Sequence, residues 1–573
     1  MTALLTDNLL LLAGAPNGIK KLRELILELA VRGKLVPQDP IDEPASELLK
    51  RIAEEKARLV AEGKIKKQKP LPEVEEEPFE LPAGWKWSAL AQVAFVNPRN
   101  AAADSLEVSF VPMTFIGTRF DDQHAQEPRL WGQVKQGFTH FAEGDIGVAK
   151  ITPCFENSKA CVFSNLVNGL GAGTTELHIV RPISGTLNPR YVLAYLKSPQ
   201  FLLVGETKMT GTAGQKRLPK GFVEANPFPV PPLAEQHRIV AKVDELMALC
   251  DRLEAQQADA ESAHAQLVQA LLDSLTQASD AVDFATNWQR LAEHFNTLFT
   301  TEPSIDALKQ TLLQLAVMGK LVPQDPEEDE ARNWLERIQL EKQRLLQNRQ
   351  RQSAKRAANV EIAIPTKDVP FSWCWVSLAD ITLGMDSGWS PACEPTPSPS
   401  DSVWGVLKTT AVQVMQYLDG ENKELPSHLE PRPDAEVKIG DILFTRAGPT
   451  NRVGISCLVE RTRPRLMISD KIIRFHPVEV GAFGRYIALC LNTGGTAMYL
   501  ELAKSGMAAS QVNISQEKLK RAPIPFPPLP EQHRIVAKVE QLMALCDQLK
   551  SRLTQAREVK QQLTSALVEQ ATA

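Results

Sequence analysis

Between Ile19 and Val31 the apolar positions Ile19, Leu22, Leu25, Ile26, Leu29 and Ala30 recur at steps of three and four. That spacing predicts a helix with one buried face, and Gly33 is placed to stop it. A second helix is predicted from Ala45 to Ala61, followed by the basic KIKKQK; the acidic, proline-rich PLPEVEEEPFELP of 70–82 reads as a linker. The pattern then shortens. IGVAKIT after Gly144-Asp145 and the stretch Thr175 to Val180 read as strands, and RYVLAYLKS (190–198) as a short helix. An α/β module fits this mixture better than a sandwich. After the proline run PFPVPPL (227–233), Ile239, Val243, Leu246, Cys250 and Leu253 recur at four-three-four-three spacing, the seam of a long heptad helix.

The whole order then returns. LAVRGKLVPQDP (29–40) reappears as LAVMGKLVPQDP (315–326), and LPAGWKW (81–87) as VPFSWCW (369–375). GDIGVAKITP (144–153) aligns with GDILFTRAGP (440–449), and RYVLAYLKS with RYIALCLNT (485–493). EQHRIVAKVDELMALCD (235–251) matches EQHRIVAKVEQLMALCD (531–547) at 15 of 17 positions. The second seam reads Ile535, Val539, Leu542, Cys546, Leu549, Leu553, Ala556, Lys560, Leu563 and Leu567. An amphipathic helix packed on its own module would show the same spacing, but two seams in one chain can bury each other as an intramolecular antiparallel coiled coil. A period this long means two whole modules rather than a solenoid. Helices and proline runs stay nearly identical, whereas 88–230 and 376–526 diverge. Either surface loops have drifted, or the constant parts meet the same partner twice and the variable parts two different targets.

Composition narrows the class. The 573 residues carry 64 Lys and Arg against 69 Asp and Glu, a net charge of −5, so there is no basic coat, although local patches remain open. No apolar run reaches membrane-spanning length. Leu9 to Ala13 imitates a signal peptide but follows Asp7 without any preceding Lys or Arg, so a cytoplasmic protein is expected. Eight scattered cysteines predict neither zinc nor disulfides. Catalytic signatures are missing: there is no phosphate-binding P-loop, no His-Glu-x-x-His and no G-x-S-x-G. The glycines of NGLGAGT (168–174) read as a turn, and Asn226-Pro227-Phe228-Pro229 and Ala522-Pro523-Ile524-Pro525 as stiff hinges. His237 and His533 read as capping or partner-contact residues rather than catalytic or metal-binding ones.

The ordered set of Trp85/Trp87, GDIGVAKITPCFEN (144–157), GTTELHIVRP (173–182), TGTAGQKRL (210–218) and PLAEQHRIVAKVDELM (232–247), with second-half counterparts, resembles the specificity subunits of Type I restriction–modification systems, in particular the type IB branch. The resemblance implies a mixed α+β fold: two α/β target-recognition domains in pseudo-two-fold tandem repeat, joined by long conserved helices in an antiparallel coiled coil. The expected regions are 1–80, 81–230, 231–280, 281–368, 369–526 and 527–573, alternating helical, target-recognition and coiled-coil segments. It further implies a non-catalytic subunit that reads a bipartite, asymmetric double-stranded DNA site, in host defence against foreign DNA. Two modification subunits and the restriction subunits are the expected partners. S-adenosylmethionine, ATP and Mg belong to those partners, with no cofactor or metal on this chain. A stand-alone methyltransferase or nuclease, and a scaffold that binds no DNA, are the alternatives.

Within that frame, a strand-end loop and a Gly- or Ser-rich loop of each module are expected on the duplex. Short residues there allow close backbone approach, and Lys or Arg neutralise phosphates. The candidates are Lys150, Thr152, Asn157, Lys159, Gln215, Lys216 and Arg217, then Arg446, Thr450, Asn451, Arg452, Gln511 and Asn513. GTAGQ of 211–215 is aligned with MAASQ of 507–511. Leu35, Val36, Pro37, Glu235 and Arg238, with Leu321, Val322, Pro323, Glu531 and Arg534, are the expected docking residues for modification subunits.

Overall fold

The computed structural model describes residues 9–62, 77–212, 214–279, 281–349 and 369–572. The basic KIKKQK, most of the 70–82 linker and the stretch before the second tryptophan pair lie outside the described residues. Helices of eight residues or more are numbered here. The chain packs as two units, residues 1–261 with 555–573 and residues 262–554.

In the first unit, α1 (Gly18–Val31) and α2 (Ala45–Ala61) occupy the expected positions. α1 buries Leu22, Leu25, Ile26 and Leu29. It stops where Gly33 takes φ +68°, against the Pro82 ring that a Cβ there would strike at 2.4 Å. The module opens with β1 (Lys86–Ala89) and closes with β10 (Pro227–Val230), which pair antiparallel with Trp87 opposite Pro229. The proline run is therefore an edge strand and not a hinge. A two-stranded ribbon needs amide donors along one side only, so alternate prolines are tolerated.

Between them, β2 (Ala94–Val96), β3 (Glu107–Val111), β4 (Glu127–Leu130), β5 (Thr139–Ala142), β6 (Ile146–Ala149), β7 (Ala160–Val162), β8 (Leu170–Gly173) and β9 (Leu177–Pro182) form two sheets. Their orders are β2-β9-β6-β7 and β4-β3-β8-β5. Gly169 sits in a turn at φ +67°, as expected, whereas residues 170–173 of NGLGAGT form strand β8, which corrects the turn reading for Gly171 and Gly173. Its glycines are steric: a Cβ on Gly171 would lie 2.1 Å from the Phe141 ring, and one on Gly173 2.4 Å from the Val111 carbonyl. α3 (Pro189–Leu196) and α4 (Pro199–Lys208) cover the module, and α5 (Leu233–Gln277) leaves it.

The second unit repeats the plan. It contains α6 (Ala281–Glu293), α7 (Glu302–Val317) and α8 (Ala331–Arg349), then a module entered by β11 (Cys374–Ser377) and closed by β24 (Pro523–Phe526). The second proline run is again a strand. One sheet, β12 (Thr382–Ser387), β21 (Ile472–Pro477), β17 (Ile442–Thr445) and β19 (Ser456–Leu458), matches β2-β9-β6-β7 strand for strand. The other is reduced to β16 (Asn422–Glu424), β13 (Gly405–Leu407) and β20 (Leu466–Met467). Strands β14 (Val412–Gln413) and β15 (Gln416–Tyr417) form a small hairpin. α9 (Gly484–Asn492) and α10 (Gly494–Ala503) precede β22 (Ser505–Ala508) and β23 (Gln511–Asn513); β23 pairs with β22 on one side and with β18 (Ala447–Gly448) on the other. α11 (Leu529–Thr572) ends the chain.

The long helices have 45 and 44 residues, about 65 Å each. In the first unit, the end of α11 (Leu567, Val568, Ala571) shares a core with the start of α5 (Val243, Leu246, Cys250, Leu253). In the second, the end of α5 (Val268, Leu272, Leu275) shares a core with Leu542, Cys546, Leu549 and Leu553 of α11. Start meets end in both, the antiparallel order that the seams predict. A third helix joins each core, α1 in one and α7 in the other. The seam is not continuous, since Leu563 is 47% exposed and residues 254–263 of α5 face solvent.

Candidate nucleic-acid interface

In the first module, β6 runs out at Lys150 beside the hairpin of residues 210–217. Backbone pairing stitches the two together: Leu218 N donates to Lys150 O at 2.7 Å, and Thr152 N to Lys216 O at 3.0 Å. Lys216 N in turn donates to Thr152 Oγ1 at 3.2 Å. Arg217 pairs with both Ile151 and Thr210. The structure thus brings Lys150, Thr152, Gln215, Lys216 and Arg217 to one edge, with the hairpin residues exposed. Asn157 is exposed on the same turn. Lys159 instead sends its Nζ inward to Met113 O at 3.0 Å.

The second module builds the same feature as a small sheet. Asn513 pairs with Ala447, Gly448 with Val512, and Ile514 N donates to Arg446 O at 2.8 Å. Thr450 N and Oγ1 both donate to Ala509 O at 2.9 Å. Gln511 and Asn513 lie on one exposed face of β23, separated by the half-buried Val512, and Asn451 is exposed. Arg452 leaves this group. Its guanidinium donates to the carbonyls of Thr409 and Val412 at 2.8 Å each and to Gln413 Oε1 at 3.2 Å.

Geometry corrects the alignment of the two hairpins. A Cβ on Gly211 would meet Gln215 O at 2.7 Å, and one on Gly506 would meet Gln511 O at 2.3 Å. Gly211 therefore corresponds to Gly506 rather than Met507, and the second hairpin is one residue longer at its tip. Both glycines let the hairpin close tightly on itself.

Sequence reasoning missed the residues beside the hairpins. Glu176, just before β9, accepts two hydrogen bonds from Arg217, at 2.9 Å each. The Arg217 guanidinium holds its carboxyl below the usual carboxylate range. Lys150 N donates to Glu176 O at 3.0 Å, and Arg446 N to Lys471 O at 2.8 Å, so Lys471 takes the strand position of Glu176. The equivalence is invisible until the strands are paired.

Most of the expected docking residues make contacts within the chain. Leu35 is buried, Val36, Leu321 and Val322 are half-buried, and only Pro37 and Pro323 of the two LVP segments are exposed. Glu235 accepts from Trp85 Nε1 at 2.9 Å and from Gln38 Nε2 at 3.2 Å. Glu531 accepts from Trp373 Nε1 at 2.9 Å and Gln324 Nε2 at 3.0 Å. Arg238 pairs with Asp42, and Arg534 with Glu328. Between Glu and His, Gln236 accepts from Asn188 N and donates to Pro231 O, and Gln532 accepts from Phe483 N and donates to Pro527 O. Glu-Gln-His-Arg is a junction that ties loop, module and long helix. His237 lies 3.1 Å from the Asn188 amide and His533 against the Phe483 ring. Among the described residues no His, Cys, Asp and Glu group could hold a metal, and no helix is long and apolar enough to cross a membrane. All eight cysteines are free.

The chain is similar in sequence to known proteins. A family model described as the Type I restriction modification DNA specificity domain matches residues 417–558. The specificity subunit of the Type I restriction enzyme EcoEI of Escherichia coli is 57% identical over 557 residues, covering 97% of this chain and 94% of that protein. The EcoAI specificity subunit of Escherichia coli is 43% identical over 567 residues, with the same coverage of 97% and 94%. A crystal structure of the HsdS subunit from Thermoanaerobacter tengcongensis aligns with a TM-score of 0.45 and 19% identity, over 87% of this chain and 99% of that one.

Proposed function

The chain belongs to the specificity subunits of Type I restriction–modification systems, and from that premise we propose that its two modules read the two halves of one bipartite, asymmetric DNA site. As a specificity subunit it is non-catalytic, and its role is recognition of the DNA target. The observation that carries the bipartite reading is the contrast within the repeat. The Trp–Glu–Gln junction is the same in both halves to within a few tenths of an ångström, while the exposed hairpins carry different side chains. A duplicated frame suits identical partners, and divergent hairpins suit different sequences.

In this reading Lys150, Lys216, Arg446 and Lys471 neutralise phosphates, and Gln215, Gln511 and Asn513 reach base edges. Each half of the frame receives one modification subunit, which brings S-adenosylmethionine for adenine methylation. Restriction subunits add ATP- and Mg-dependent translocation and cleavage, all in the cytoplasm. The exposed Pro37 and Pro323 mark where docking is reachable beside the junctions. The test is selection from a random DNA pool by the partner-bound complex, together with a map of methylated adenines in the host genome. A split motif with a fixed gap is expected. No enriched motif would leave only a scaffold.

A further inference from the structure

Arg217 is engaged along one edge of its guanidinium. Nε and one Nη donate to the two oxygens of Glu176 at 2.9 Å each, while the side chain remains 45% exposed. Its backbone is fixed from both sides by pairing with Ile151 and Thr210. A guanidinium has a second, end-on edge formed by its two Nη atoms. That edge matches the O6 and N7 acceptors of guanine in the major groove. We propose that Arg217, oriented by Glu176, reads a guanine in the first half-site; the inference rests on the DNA-reading function proposed above.

The carboxylate decides between guanine and phosphate. A residue that serves only to attract phosphate gains nothing from an adjacent negative charge, which cancels its own charge and repels the backbone. The neighbouring Lys150 and Lys216 suit that role better. A donor fork needed for its geometry, however, gains from being held flat and in register. The second module supplies the contrast. At the same register Asn513 pairs with Ala447 where Arg217 pairs with Ile151, and Lys471 stands at the strand position of Glu176. Neither the fork nor its orienting carboxylate is present there. The two modules thus present different chemistry at one equivalent point, as the reading of two different half-sites requires.

The test uses the full chain in complex with its partner subunits, with the motif read by methylation mapping and affinity by titration with target and random duplexes. Arg217→Lys keeps the charge and loses the fork. It is expected to bind random DNA nearly as well as the parent but to lose about tenfold or more of its preference for guanine at a single position of the first half-site. Glu176→Gln is expected to weaken that preference less, and to bind random DNA more tightly with a steeper salt dependence. Asn513→Arg with Lys471→Glu transplants the pair and is expected to add a guanine requirement to the second half-site, a gain that misfolding cannot imitate. An unchanged motif in Arg217→Lys, or a uniform loss of affinity across all sequences, overturns the proposal. A parent complex that enriches no motif overturns the DNA-reading function itself, which is a separate result.

Discussion

The indole of Trp85 donates to the carboxylate of Glu235 at 2.9 Å across 150 residues of sequence, and Trp373 repeats the bond to Glu531 at 2.9 Å across 158. In each case a tryptophan at the mouth of a module is tied to the first turn of a long helix. Both carboxylates are buried, and burial pushes their pKa above the ordinary glutamate value of 4.5. Each also accepts from an exposed glutamine, Gln38 or Gln324, whose amide donates as well to the carbonyl of Gly33 or Gly319, so removal of the carboxylate leaves one buried donor, the indole, without an acceptor.

Glu235→Ala is therefore expected to cost about 1–3 kcal/mol, measured by denaturant unfolding, with a similar loss for Glu531→Ala. The pH dependence has a definite sign. A raised carboxyl pKa means that the folded chain keeps its proton where the unfolded chain has lost it. Its contribution is full below about 4.5 and is lost as pH rises through the folded value. Relative to a Glu235→Gln, Glu531→Gln double variant, the parent should lose stability on going from pH 4 to neutral pH. A pH-independent difference would mean that neither glutamate titrates abnormally.

The two scaffolds are nearly identical in sequence yet carry different charges where the third helix meets the long helix. In the first unit Arg23 of α1 meets Asp251 and Glu254 of α5, at 2.6 and 2.7 Å. In the second, Lys309 of α7 meets Asp547 at 2.5 Å, while Lys550, the counterpart of Glu254, meets Asp306 at 2.8 Å. Lys550→Glu should place two carboxylates together and lower the stability of the second unit, and adding Asp306→Lys should restore it. Thermal melts of the four members of this cycle give the coupling, and zero coupling would make the reversal incidental.

Much of this fold is written in local pattern. α1 and α2 follow from apolar spacing and a glycine stop, and the duplication from plain identity. Other features needed partners distant in sequence. Gly171 looks like a turn residue until Phe141 is packed against it, and the proline runs look like hinges until β1 and β11 lie alongside. At the candidate interface the loops were legible, because short and basic residues cluster there. The Arg217–Glu176 pair and the inward turn of Arg452 were not, since both depend on strand neighbours some 40 residues away.

That inward turn makes its own prediction. Arg452 saturates carbonyls of the loop from Thr409 to Val412, so Arg452→Ala strips donors from half-buried acceptors. A loss of about 1–3 kcal/mol in unfolding free energy is expected, with the methylation motif unchanged. A changed motif at full stability would instead put its guanidinium on DNA.

The last prediction concerns the middle of the long helices. Residues 254–263 of α5 and 554–559 of α11 are solvent-facing, and neither stretch contributes to the apolar cores at the helix ends. Extra turns can enter there without disturbing those cores, provided the helical phase is kept. Four residues advance a helix by about 6 Å and rotate it by about 400°, close to one full turn. Because the proposed function assigns each half-site to a separate module, the length of the helical link sets the unread gap. A four-residue insertion within Ala258–Ala263, matched by one within Thr554–Glu558, should lengthen that gap by one or two base pairs, at about 3.4 Å per pair, and leave both half-site sequences as they were. Two residues in place of four rotate the link by about 200°, turn Val268 and Leu272 away from their core, and should prevent folding or assembly. Methylation mapping reads both variants: altered half-site bases with an unaltered gap would show that the helices do not set the spacing.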